Sequence, residues 1–213
     1  MSSAESEKKV DRRMVINGNV YQRIISHEEM FQRVQELAAQ IKKDYRQYAQ
    51  PPILLFVELG ALFFLSNLSR ALDRLAFDHT VDSIRLKKFT KNKEAEPVKI
   101  INFPVEDLGR RHLIVVEDII DSGESMDVLN QYLKHLKVPP QSVKYCSLLL
   151  RSKNSHLLGD ANSPVLDKND SLDFKLDFKI EYYGFLVKPG WVFGEGMDYN
   201  HILRGVSGVY QEI

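Results

Sequence analysis

The chain has 213 residues, 44% hydrophobic and 27% charged, enough apolar material to enclose one sizeable core in a single α/β domain. Twenty-nine basic residues balance twenty-nine acidic ones, so no overall field favours nucleic acid or an anionic membrane, and any anion site must be local. A single cysteine excludes a disulfide within the chain, and no run approaches the ~18 apolar residues of a membrane span.

In chain order, the polar, aperiodic start reads as a tail ending near residue 14 and is too polar for a secretory signal, so a cytoplasmic protein is expected. Residues 15–213 then read as one domain. Ser26 and Glu29 form a capping box ahead of the apolar stripe Met30, Val34, Leu37, Ala38 and Ile41, which predicts a helix stopped by Pro51-Pro52. Ile53 to Val57 is a continuous apolar run that suits a strand buried on both faces, and Ala61 to Leu75 follows as a helix. Thr80 to Leu86 reads as a strand, and the polar stretch beyond it, about residues 87–98, as a mobile lid. The next strand, His112 to Val116, runs into Glu117-Asp118-Ile119-Ile120-Asp121-Ser122-Gly123 and then into helical spacing from Met126 to Leu136. Val143 to Leu150 is a further buried strand holding Cys146, which reads as a small core residue. An extended loop follows at about 152–174. Aromatic strand character returns in Phe178 to Val187 and Trp191 to Phe193, and Val206 to Ile213 is a candidate edge strand. The alternation predicts a parallel twisted sheet flanked by helices, with ligands beyond the carboxyl ends of its strands.

The best candidate site sits at such an end. Glu117, Asp118 and Asp121 are three carboxylates within five residues, and Ser122-Gly123-Glu124-Ser125 leads directly into a helix. A cluster of charges is often only a solvated turn, but a helix start with glycine and hydroxyls is also an anion cradle. Phosphate and carboxylates side by side suggest a sugar phosphate, its hydroxyls bonded to the acids directly or through Mg²⁺.

The segment Val115 to Gly123 resembles the phosphoribosyl-diphosphate signature of type I phosphoribosyltransferases, and its double isoleucine resembles the hypoxanthine-guanine branch of that family. Val81 to Lys87 is similar to the family's strand before its catalytic lid. Trp191 to Asn200, with Arg204, is similar to its base-and-metal segment. The resemblance implies an α/β fold with a small hood over the base site, and transfer of a phosphoribosyl group from phosphoribosyl diphosphate to hypoxanthine or guanine. Pyrophosphate leaves C1 of the ribose as a purine nitrogen attacks. Carried over by position, the resemblance implies that Glu117 and Asp118 bind ribose hydroxyls and Mg²⁺, that Asp121 is the base near purine N7, and that Ser122, Gly123, Glu124 and Ser125 cradle the 5′-phosphate. It also implies that Trp191 stacks on the purine, that Val192 reads its edge through the backbone, and that Asp198 is associated with a second metal. Arg204 matches a pyrophosphate-binding arginine, Leu59 and Gly60 the pyrophosphate loop, and Lys88 and Phe89 the start of the lid. The implied partners are these small molecules and further copies of the chain, in a homodimer or homotetramer.

Several positions depart from the family. Leu59 stands where a lysine is usual, with Glu58 beside it; Lys88-Phe89 replaces Ser-Tyr; Glu124 brings an acid into the phosphate cradle. Arg151, or Lys153 in a shifted register, takes the place of the lysine that recognises the purine 6-oxo group, and the loop after Arg151 is longer. Two readings follow: an active, divergent enzyme, or a degenerate paralogue that binds nucleotide or a protein partner with little turnover. The retained Glu117, Asp118, Asp121, Asp198 and Arg204 favour the first. A dinucleotide-binding alternative lacks any Gly-x-Gly-x-x-Gly after its strands.

Overall fold

The computed structural model describes residues 13–87, 90–91, 94–95, 98–102, 108, 111–136, 139–151 and 178–213. Lys88, Phe89, most of the expected lid and the expected loop at 152–174 lie outside these residues. The description begins with an antiparallel hairpin of β1 (Arg13–Ile16) and β2 (Asn19–Ile25). Asn17 and Gly18 turn it with φ of 52° and 85°, a conformation for which Asn-Gly is the favoured pair. The polar tail therefore ends sooner than expected: Arg13 and Met14 are strand residues, and Met14 packs on the cluster of Tyr21, Phe193 and Tyr210.

Helix α1 (His27–Tyr45) carries the expected capping box, with Glu29 N donating to Ser26 Oγ at 3.1 Å and Ser26 N donating to Glu29 Oε2 at 2.8 Å. It stops well before Pro51-Pro52, because its buried stripe is exhausted at Tyr45 and the next five residues are exposed. The prolines instead lead into β3 (Ile53–Val57). Then come α2 (Leu62–Arg74), β4 (Thr80–Lys87), the two-residue strands β5 (Thr90–Lys91) and β6 (Glu94–Ala95), and β7 (Lys99–Asn102). The chain continues through β8 (His112–Ile120), α3 (Glu124–Lys134), β9 (Ser142–Arg151), β10 (Tyr182–Val187), β11 (Val192–Phe193) and β12 (Val209–Glu212).

The main sheet has the order β10-β9-β8-β3-β4-β7, parallel throughout except for β7, which runs antiparallel to β4 at the edge. Both faces are covered, which is why its central strands read as unbroken apolar runs. Leu54, Ile114, Val116 and Cys146 pack with α1 and α2 on one face; Ile53, Leu55, Leu113 and Val115 pack with Met126, Leu129 and Leu133 of α3 on the other. Truncating a fully buried side chain such as Leu54 to alanine costs about 2–5 kcal/mol.

A second, four-stranded sheet of order β1-β2-β12-β11 forms a hood. Here β12 is not the edge strand its sequence suggested; it pairs with β2 on one side and β11 on the other. Tyr21 and Tyr210 both lie against Phe193, with ring centroids 5.2 Å and 5.5 Å away. Ile25, Val192, Met197 and Val209 extend the α1–α2 core into the hood. Gly196, at φ of 109°, lies so close to the loop after β3 that a Cβ there would sit 2.0 Å from the Gly60 carbonyl oxygen. Among the described residues, no helix is long and apolar enough to cross a membrane.

Candidate active site

The site is built where β8 runs out into α3. The sequence places the end of this strand at Val116, but the ladder with β9 continues, setting Glu117 opposite Ser147 and Ile119 opposite Leu149. Glu117 and Asp118 are therefore strand residues, and both are buried. Burial, then the charge of Asp118, then a hydrogen bond to it push the Glu117 carboxyl well above the usual range. Asp118 N donates to Glu117 Oε1 at 3.2 Å, and Ile119 N donates to Asp118 Oδ1 at 2.9 Å.

The loop after β3 closes over this pair. A Cβ on Gly60 would lie 2.0 Å from Asp118 Oδ2 and 2.8 Å from Oδ1, so only glycine lets the backbone pass. The Glu58–Leu59 peptide is cis. Glu58 is held to β4, accepting from Ser83 Oγ at 2.7 Å while its N–H donates to the Ile84 carbonyl at 2.9 Å. Leu59 is 57% exposed and brings no cation.

Gly123 caps α3 in the left-handed region, at φ of 76°, and gives no side-chain cap. A helix start of this kind directs backbone N–H groups and the positive end of the helix dipole outward. A cleft of about 280 Å³ opens there, lined by Glu117, Ile119, Ile120, Asp121, Ser122, Gly123, Ser125 and Met126, with Val57 and Leu86 across from them. Glu124, assigned to the phosphate cradle from sequence, is not among the lining residues.

Asp121 is 67% exposed in the cleft, and its Oδ1 accepts from Arg151 Nε at 2.9 Å. The arginine side chain is only 8% exposed, and its Nη1 donates to the Lys188 carbonyl at 2.5 Å. The same carbonyl accepts from Gln211 Nε2 of β12 at 2.9 Å.

In the hood, Trp191 is 55% exposed, and its indole N–H donates to the Asp198 carbonyl at 3.2 Å. Val192 beside it is buried in β11. The Asp198 carboxylate accepts from Arg204 Nη2 at 2.5 Å and from His201 N at 2.8 Å, while Arg204 Nη1 donates to the Gly196 carbonyl at 2.6 Å. Arg204 and Asp198 thus neutralise each other. Among the described residues no three His, Cys, Asp or Glu side chains cluster as a metal site, so Asp198 does not join Glu117 and Asp118 in one carboxylate group. The adjacent Glu117–Asp118 pair is the donor set suited to a hard cation that takes its remaining oxygens from ligand and water.

Three groups have no local signal in the sequence: Gln211, the Lys188 carbonyl, and Glu195, whose Oε1 lies 2.9 Å from His27 Nδ1 and accepts from Gly208 N at 2.8 Å. Each acts through a contact between segments far apart in the chain, which spacing and periodicity do not encode.

Residues 20–179 match the phosphoribosyl transferase domain family. A hypoxanthine-guanine phosphoribosyltransferase of Aquifex aeolicus is 28% identical over 196 residues, covering 92% of this chain and 96% of that protein. A hypoxanthine-guanine-xanthine phosphoribosyltransferase of Tritrichomonas foetus is 29% identical over 191 residues, covering 89% and 91%. The crystal structure of a hypoxanthine-guanine phosphoribosyltransferase from Bacillus anthracis superposes with a TM-score of 0.68 at 26% identity, covering 90% of this chain and 97% of that one. With a sheet parallel but for one edge strand, a carboxylate pair at its strand end and a match over most of its length, the chain belongs to the phosphoribosyltransferase family.

Proposed function

We propose that the chain is a purine-salvage enzyme that transfers the phosphoribosyl group from 5-phosphoribosyl 1-diphosphate to hypoxanthine or guanine, giving IMP or GMP and pyrophosphate. The observation that carries this reading is the gathering of Glu117, Asp121, Ser122, Gly123 and Ser125 in one cleft, with Asp118 beside Glu117 under the Gly60 loop. The α3 start, with the Ser122 and Ser125 hydroxyls, holds the 5′-phosphate. Glu117 and Asp118 accept from the ribose hydroxyls, and their buried negative charge favours the oxocarbenium character that develops at C1. A purine nitrogen forms the bond to C1 as the bond to pyrophosphate breaks, and Asp121 takes the proton displaced from the purine.

Trp191 offers its exposed face to the base, and the Val192 backbone and Arg151 meet the purine edge. Gly60, Leu59 and Arg204 line the path of the leaving pyrophosphate, and Lys88 and Phe89 belong to the lid that excludes water. Mg²⁺ bound at Glu117 and Asp118, with Asp198 near a second ion, would supply charge neutralisation for the leaving group. A homodimer or homotetramer in the cytoplasm completes the reading. A spectrophotometric assay of adenine, hypoxanthine, guanine and xanthine with the donor and Mg²⁺ tests it. Turnover of hypoxanthine or guanine is expected; nucleotide binding without turnover of any purine overturns the reading in favour of a degenerate binding protein.

A further inference from the structure

We propose that Arg151 is a positioning residue: its guanidinium clasps Asp121 to the hood and so fixes the proton-accepting carboxylate relative to the face of Trp191. The inference rests on the transfer reaction given above and assigns Arg151 a task separate from reading the purine edge. Its Nε donates to Asp121 Oδ1 at 2.9 Å and its Nη1 to the Lys188 carbonyl at 2.5 Å, so one rigid group spans the loop after β8 and the turn after β10. That turn leads within three residues to Trp191. It is pinned a second time by Gln211 of β12, whose Nε2 donates to the Lys188 carbonyl at 2.9 Å and the Pro189 carbonyl at 3.2 Å. The Lys188 carbonyl is thus a shared post, held from the main sheet by Arg151 and from the hood by Gln211.

Burial shows which partner is fixed. Arg151 is 8% exposed and Asp121 67%, so the arginine is the anchor and the carboxylate the group presented to the cleft. The guanidinium engages Oδ1, which restrains the group and leaves Oδ2 for an incoming base. The chemistry also explains why an arginine stands here. The guanidinium reaches its two acceptors from two different nitrogens held in one plane, Nε and Nη1, whereas an ammonium would have to serve both from a single nitrogen on a flexible stem. Arg151→Lys therefore keeps the charge and loosens the clasp.

The test uses the full chain as wild type, Asp121→Asn, Arg151→Lys, the double variant and Gln211→Ala. Steady-state kinetics are combined with acrylamide quenching of Trp191, the only tryptophan in the chain. Misplacing the carboxylate should lower kcat of Arg151→Lys by about 10- to 100-fold, with KM for the donor within about twofold of wild type. In the Asp121→Asn background the same change should lower kcat by less than about threefold, because the two residues act as one unit. Gln211→Ala, which frees the other side of the shared carbonyl, should raise Trp191 quenching and lower kcat by a smaller factor in the same direction. Additive losses in the double variant, or a raised purine KM with unchanged kcat in Arg151→Lys, would overturn the clasp and leave Arg151 as a reader of substrate. Should Arg151→Lys fail to fold, unchanged quenching and unchanged kcat in Gln211→Ala overturn it instead. Wild type without turnover removes the transfer reading alone. The clasp then stands or falls on whether Asp121→Asn and Arg151→Lys are non-additive in thermal unfolding and in Trp191 quenching.

Discussion

The two ends of the main sheet handle buried polarity in opposite ways. At the N-terminal ends of the strands the chain pairs its charged groups with its own residues, and the buried atoms left without a hydrogen bond there, His112 Nε2 and Tyr45 Oη, are neutral. His112, buried at the start of β8, packs against Tyr48 with ring centroids 3.9 Å apart and the rings tilted by 40°, and its Nδ1 lies 2.7 Å from Ser142 Oγ. The Lys144 ammonium sits 4.9 Å above the Tyr45 ring and donates to Asp44 at 3.2 Å, and Arg111 ties the Pro51 carbonyl to Thr80 Oγ1. At the C-terminal ends two adjacent carboxylates are buried against one another, and Glu117 is raised by burial and by Asp118, with no cation among the described residues offsetting either. One end pairs its own charges, and the other buries two like-charged side chains next to each other.

The pH responses follow with opposite signs. Burial, and then the charge of Lys144, hold His112 below its ordinary value of 6.5. Its contribution to stability is complete above 6.5 and is lost as pH falls through the folded value. Glu117 is raised above its ordinary 4.5, so its contribution is complete below 4.5 and is lost as pH rises through the folded value.

Variants at the two ends should therefore separate activity from stability, and the largest effect belongs to Asp121. Asp121→Asn should lower kcat by about 10²–10⁴-fold, with a smaller loss of thermal midpoint because the buried Arg151 guanidinium is left without its charge partner; a kcat near wild type would take the proton-acceptor role away from it. Gly60→Ala drives a methyl group against Asp118 and should raise KM for the donor by about 10- to 100-fold, the equivalent of the usual ~1–3 kcal/mol of overpacking. Trp191→Ala should weaken binding of the monophosphate product by about 1–3 kcal/mol, measured by calorimetry.

The stability pair is smaller and sharpens the comparison most directly. Glu117→Gln should gain on wild type in ligand-free thermal unfolding as pH rises above 4.5, by at most about 1.4 kcal/mol per pH unit. His112→Phe keeps a ring on Tyr48 and should flatten the loss of stability below pH 6.5 while leaving kcat at wild-type level. Equal effects of either substitution on both observables would erase the distinction between the ends.

What the sequence conveyed divides along physical lines. Ile53 to Val57 was readable residue for residue because a strand covered on both faces shows an unbroken apolar run, and the Ser26–Glu29 box was readable because both partners are local. The β1–β2 hairpin has a local signal, Asn17-Gly18 between the apolar run Met14 to Ile16 and Val20, set directly beside a charged tail. Glu117 and Asp118 were found by their spacing, but their burial was not, because two charges after an apolar run read as a strand end until a neighbouring strand is known to continue. The hydrogen bond from Arg151 to Asp121 and the place of β12 inside the hood depend on long-range pairing, which periodicity does not carry.

That place of β12 bears on the order in which the molecule is made. Val209 pairs with Ile25, and Tyr210 with Arg23, so the hood is stitched from segments lying near opposite ends of the described chain. Every strand of the main sheet is translated between them, and β8 and β9 find each other across a single helix. Closing the larger loop is the slower step, and a strand that has not left the ribosome cannot be paired at all. The nascent protein would thus hold its cleft before it holds its hood, with β2 waiting unpaired on one edge. Pulse-labelled hydrogen exchange during refolding should protect the amides of β8 and β9 before those of β2 and β12, and simultaneous protection would show that the two sheets form as one unit.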